Sequence, residues 1–184
     1  PSRPGVHEAG PASPLADDGH ARFRRGNHIH RLLQTLPDLP AHQRRDAAAR
    51  YLALPAHVLE PAQQAEILAE TLAVLKHLDF AILFGPGSRS EVPLTGLIAG
   101  RVISGVVDRL AVTDSEVLIV DYKSNRPPPR RPGDVDGAYL RQLASYRAAL
   151  RDIYPEKTVR CALLWTDGPR LMAIGDDQLD AHAP

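Results

Sequence analysis

The sequence has little of several things. Cys161 is the only cysteine. Alone it cannot close an internal disulfide, hold an iron–sulfur cluster or build a cysteine zinc site. A reducing, intracellular setting fits that scarcity. No apolar run approaches the ~18–20 residues that span a bilayer, which argues against a membrane partner. No basic segment followed by an apolar stretch marks a secretory signal. Lysine is also scarce: of 22 basic residues only Lys76, Lys123 and Lys157 are lysines. A lysine in a chemically suggestive place therefore carries weight. The only methionine is Met172, and the chain opens on Pro1. A removed initiator and a segment cut from a longer polypeptide both fit.

There is no excess charge of either sign, since 22 acidic residues balance 22 basic ones. That excludes binding nucleic acid by bulk electrostatics alone. Local basic clusters remain at Arg22, Arg24, Arg25 and Arg31, at Arg44 and Arg45, and at Arg126, Arg130 and Arg131. With 184 residues, 43% hydrophobic and 24% charged, the composition is that of one globular domain and not of a collagenous, mucin-like or disordered chain.

Residues 1–20 lack apolar periodicity and read as an arm or linker, leaving 21–184 as the domain. From Gly26 the spacing of Ile29, Leu32, Leu33 and Leu36 predicts a helix, ended by Pro37. Ala41–Leu54 and Glu60–Leu78 read as two further helices. The second has Pro61 in its first turn and Ile67, Leu68, Leu72, Leu75 and Leu78 on its apolar face. The character then changes. Residues 91–98, 102–112 and 117–120 read as strands, the last two joined by a hairpin at Thr113–Glu116. A Pro- and Arg-rich loop at 126–136 follows. A helix over Tyr139–Ile153, with Leu143, Leu150 and Ile153 turned to the core, precedes strands at 158–165 and 170–174. Helices, strands, a helix and two more strands make an α/β or α+β fold with a mixed central sheet.

The chemistry concentrates at one place. A hydrophobic strand ends in Asp121-Tyr122-Lys123, and alternation puts Asp121 and Lys123 on one face. Across the predicted hairpin, Asp108 is within reach of Asp121. Two carboxylates suit a hard divalent cation, and a neighbouring ammonium suits a growing negative charge. That set fits metal-dependent phosphodiester hydrolysis. It also fits a surface hairpin carrying an Asp–Lys ion pair. Gln142 and Tyr146 are four apart on the next helix and share a face. His28 and His30 open the first helix and compete for a ligand role.

Taken in order, Gly26-x-x-x-His30, Gly105-x-x-Asp108, Asp121-Tyr122-Lys123 and Gln142-x-x-x-Tyr146 resemble the motifs of the RecB-type nucleases, a branch of the PD-(D/E)xK phosphodiesterases. The likeness spans about residues 20–175 and is closest to the C-terminal nuclease domain of AddA-type helicase–nuclease subunits. The resemblance implies a restriction-endonuclease-like α/β core, with a mixed sheet flanked by helices and an N-terminal helical lead-in. It implies His30, Asp108 and Asp121 as ligands of Mg²⁺ (or Mn²⁺), with the Tyr122 carbonyl as a fourth. Asp108, Asp121 and Lys123 are then catalytic, with Lys123 the catalytic lysine. Gln142 and Tyr146 support the site and contact DNA, and Glu91 matches an upstream acidic position. Apart from the resemblance, the Arg126–Arg131 loop directly follows the active strand, which fits either a grip on the phosphate backbone, with Arg126 as the DNA-binding candidate, or a solvated loop. Implied partners are single-stranded DNA ends, an AddB-like second subunit and a helicase region of the same polypeptide. The implied setting is the bacterial cytoplasm and nucleoid, in double-strand break repair and recombination. With one cysteine there is no iron–sulfur cluster, and without a Gly-x-x-x-x-Gly-Lys-Ser/Thr loop this segment has no ATP site. A non-catalytic nuclease-fold module and a stand-alone PD-(D/E)xK exonuclease are the competing readings.

Overall fold

In the computed structural model, residues 17–184 are described, with side chains from Phe23 onward. A five-stranded sheet has the order β1-β2-β3-β4-β5, with β1 Ser88–Ile98, β2 Arg101–Val112, β3 Glu116–Lys123, β4 Thr158–Trp165 and β5 Arg170–Ile174. All neighbours are antiparallel except β3 and β4, which are parallel. A parallel pair needs a crossover, and α4 (Gly137–Ile153) supplies it. Its N-terminus is capped by the Asp136 carboxylate, which accepts from the Ala138 amide at 2.8 Å.

The helices α1 (Asp17–Thr35), α2 (Ala41–Leu52) and α3 (Pro61–Lys76) precede the sheet. They bury Ile29, Leu32, Leu33, Leu36, Leu52 and Ile67 with Val120, Tyr122, Ala162 and Leu164. A second core holds Leu140, Leu143 and Leu150 of α4 with Val117, Ile119, Cys161 and Leu163. Consecutive residues of β3 and β4 thus belong to different cores. Both faces of these strands are dry, which is why their sequences are continuously apolar instead of alternating.

The expected elements recur with shifted ends. The first helix begins at Asp17, nine residues before the Gly26 start expected, so residues 17–20 belong to α1 and not to an arm. Residues 1–16 of the expected arm lie outside the described residues. Leu78 is 88% exposed, because α3 stops at Lys76 and His77 turns extended. The chain continues as a 3-10 segment, Leu78–Phe84, that buries Phe80 and Leu83 instead. Ile153 is the last residue of α4 and is exposed, not core. A short α5, Asp176–Asp180, was not anticipated. Its Asp176 and Asp180 accept from the buried Arg147. No described helix is long and apolar enough to cross a membrane.

Candidate active site

The site lies where β2 parts from β3. The last β2–β3 pair towards that end is Arg109 with Val120. One step further, Asp108 faces Asp121. There the Tyr122 amide donates to Asp108 Oδ2 at 2.7 Å, so a side chain takes the hydrogen bond a strand neighbour would have taken. On the other side of β2, Ser90 pairs with Arg109 and Val92 with Val107. Glu91 therefore stands opposite Asp108, with the ladder interrupted and its backbone left-handed at φ 50°. Such a conformation is rare outside glycine and bends the strand locally. Glu91, Asp108 and Asp121 form a row of three carboxylates across three adjacent strands.

Helix α1 brings His30 to this row, with Nδ1 3.5 Å from Asp108 Oδ1 and the ring edge-on to Tyr122. His28 points elsewhere. Its Nδ1 is 3.1 Å from Tyr51 Oη and its ring packs on His57. Of the two histidines the sequence offers, the one beside Asp108 is His30. The reason Gly26 precedes it by one turn is steric. Gly26 is buried against Ser124, and a Cβ there would stand 2.6 Å from Ser124 Oγ. The glycine lets α1 settle onto the end of β3.

Lys123 Nζ lies 2.5 Å from Asp121 Oδ2 and 3.9 Å from the centre of the Tyr139 ring. Of the three carboxylates, Asp121 is buried, Asp108 half-buried and Glu91 exposed. Burial pushes the Asp121 carboxyl up to about 6, the Lys123 charge opposing and Asp108 reinforcing the rise. Partial desolvation raises Glu91, helped by the Asp108 charge. Burial pulls the His30 imidazole down, but the Asp108 carboxylate and the Asp121 charge outweigh it and hold it above its ordinary value.

As placed, no three His, Cys, Asp or Glu side chains among the described residues converge closely enough to hold a metal ion. The donor chemistry still suits a hard divalent cation. Buried Asp121 Oδ2 has the Lys123 ammonium as its partner at 2.5 Å, the place a cation bound to this carboxylate would take.

A family model, the PD-(D/E)XK nuclease superfamily, matches residues 6–177. The chain belongs to the PD-(D/E)XK nuclease superfamily. The α/β expectation and its mixed sheet with a helical lead-in agree with that membership. A search of curated proteins finds no match. The crystal structure of SSO0001 is similar over 89% of this chain and 82% of that one, at 16% identity and a TM-score of 0.37, too loose to carry an argument.

Within this PD-(D/E)XK chain the remaining expected residues divide. Gln142 Nε2 donates to Tyr146 Oη at 3.2 Å, the i, i+4 pair expected. Tyr146 is only 3% exposed, however, and its phenol occupies the space a Cβ on Gly105 would fill. It supports β2 just before Asp108 and is not placed to touch DNA. Arg126 is exposed but already paired with carboxylates. It pairs with Glu66, with Glu70 at 2.6 Å and with Asp167 at 3.3 Å.

That pairing belongs to a network the sequence reading missed. Buried Glu70 of α3 accepts from Arg25, Arg126 and the Thr166 hydroxyl. The Thr166 amide donates to the Lys123 carbonyl at 3.0 Å, and Arg25 Nη1 donates to the Ser124 carbonyl at 3.1 Å. The backbone just past the lysine is thus tied to three helical and strand elements. Arg109, also missed, is buried. Its Nε donates to Tyr122 Oη at 3.0 Å and its Nη2 to the Leu33 carbonyl at 2.7 Å, joining α1 to β3 behind the site. The available signal was an arginine inside the apolar run Val106–Val112.

Proposed function

We propose that this chain is a Mg²⁺- or Mn²⁺-dependent deoxyribonuclease, cutting single-stranded DNA from an end as the nuclease part of an ATP-dependent helicase–nuclease. The observation that carries the reading is the carboxylate row Glu91–Asp108–Asp121 with His30 on one flank and Lys123 on the other. Asp108, Asp121 and His30 would hold the cation, with the Tyr122 carbonyl as a further ligand. When bound, the cation supplies Lewis acidity towards the phosphodiester and an acidified water.

The chain's own residues do the rest. Lys123, paired with Asp121, is the residue that would meet the charge growing on the phosphoryl oxygens. Tyr139 holds the ammonium in place by offering its ring face. The Tyr122 amide fixes Asp108 in orientation, and Arg109 fixes the Tyr122 side chain from behind. Double-strand break repair, an AddB-like partner subunit and a cytoplasmic, nucleoid-associated setting belong to the same proposal, supported by the four motifs in order.

A second reading, a nuclease fold used only to bind DNA or dock a partner, is favoured by one observation: Asp121 and Lys123 close on each other as an ion pair. The assay that separates the two is degradation of labelled single-stranded DNA with Mg²⁺, with Mn²⁺ and with chelator. Cleavage that needs the metal, and falls about a thousandfold in Asp121→Ala and in Lys123→Ala, is the expected result. A folded Asp121→Ala protein that cuts as fast as the parent ends the metallonuclease reading.

A further inference from the structure

Beside the lysine is a cleft of about 500 Å³. Its walls include Pro127, Pro128 and Pro129 of the loop after β3, the Tyr139 ring and Trp165 at the end of β4. Asn125 and Arg130 stand among its polar lining. The loop that forms it is held from outside. Arg170 donates to the Pro129 carbonyl and, at 3.1 Å, to the Arg130 carbonyl, and Gln178 donates to the Pro132 carbonyl at 3.0 Å. Tyr139 is held as well, its hydroxyl donating to Asn125 Oδ1 at 3.2 Å. Trp165 is 1% exposed, and its indole N–H is buried without a hydrogen-bond partner. A buried donor left alone is costly and marks a place where an acceptor is missing.

We propose that this cleft is a subsite for one unpaired nucleobase of the strand whose phosphodiester lies at Lys123. The inference rests on the nuclease reading and deepens it. Tyr139 connects the two places, because the ring that receives the Lys123 ammonium is also a wall of the cleft. A group attached next to a phosphate held at Lys123 is a nucleoside, and its flat base has faces to stack on proline and tyrosine rings. Arg130 is placed at the cleft for the following phosphate. The volume suits one nucleoside and falls within the range of small-ligand pockets. A base held in a duplex must leave its stack and its partner before it can enter. The cleft therefore selects single-stranded or frayed DNA, independently of the metal.

The chain offers its own probe, since Trp165 is its only tryptophan. Tryptophan fluorescence of the parent protein is titrated in chelator with oligothymidine, an abasic strand of equal length and a blunt duplex. The expected result is saturable quenching by oligothymidine, with the abasic strand and the duplex each about tenfold weaker. Tyr139→Ala is expected to weaken oligothymidine about tenfold and the abasic strand much less, and Tyr139→Phe to retain the parent affinity. Equal affinity for base-bearing and abasic strands, or for single strand and duplex, overturns the proposal. If the parent cleaves DNA while binding ignores bases, the cleft falls and the nuclease reading stands. If base-dependent quenching appears without cleavage, the cleft stands and the nuclease reading falls.

Discussion

Gly26 and Ser124 touch where α1 crosses the end of β3, and no side chain larger than hydrogen fits at residue 26 without moving the serine hydroxyl. Glycine inside a helix costs about 1 kcal/mol relative to alanine, so its presence in the middle of α1 needs a reason. The contact supplies one, and it can be measured. Gly26→Ala alone should gain much less than that ~1 kcal/mol, because Ser124 must rotate away. In a Ser124→Ala background the nearest remaining atom is at 3.7 Å, and the full gain should appear. Urea denaturation of the four proteins gives the coupling energy. Equal gains in both backgrounds would show that the contact does not constrain the helix.

Glu70 is the second such constraint. Its carboxylate is 6% exposed and faces two guanidiniums and a hydroxyl. Removing one partner of a buried charge set strands the others, so Glu70→Ala should lose ~3 kcal/mol. Glu70→Gln keeps an acceptor for Thr166 and should lose less. Because the group is buried, the loss should persist in 1 M salt, whereas a surface pair is screened there. A loss that disappears with salt would place Glu70 among ordinary surface charges. The part this network plays at the site is positional. It holds the Lys123 and Ser124 carbonyls, through Thr166 and Arg25, and touches no reacting atom.

How much of this was legible in the sequence depends on range. Ile29, Leu32, Leu33 and Leu36 are at most 2% exposed, because helical periodicity is a local signal that reports a buried face directly. The motif residues His30, Asp108, Asp121 and Lys123 were legible by order and type; the sheet register brings the two aspartates together, and α1 brings His30 to them. Glu70, Thr166 and Arg109 were not. Glu70 and Thr166 are 96 positions apart, and nothing in either neighbourhood foretells that an acid on α3 meets a hydroxyl after β4. Arg126 shows the same failure from the other side. A loop arginine reads as a free cation until the fold supplies Glu66, Glu70 and Asp167. The left-handed Glu91 was also invisible, since a glutamate gives no hint of a conformation that glycine usually takes.

Cys161 tests the packing of the face opposite α1. It is 2% exposed in β4, with Sγ 3.8 Å from the Leu143 carbonyl, and burial pushes its thiol up to about 12. The thiolate is the reactive form, so the native protein should resist alkylation at pH 8–9 and react only as it unfolds. The same shift fixes a sign for stability. From about pH 9 to about 12 the unfolded thiol has lost its proton while the folded one keeps it. The folded state then binds more protons, and stability falls as pH rises, by up to ~1.4 kcal/mol per pH unit from this group. Denaturant midpoints of the parent and of Cys161→Ala across pH 8–10.5 isolate the contribution. The variant should be less stable at pH 8 because of the cavity, and its stability should decline less steeply above pH 9. Parallel slopes, or rapid labelling of the folded parent, would mean that the thiol is reachable and that α4 does not seal this part of the sheet.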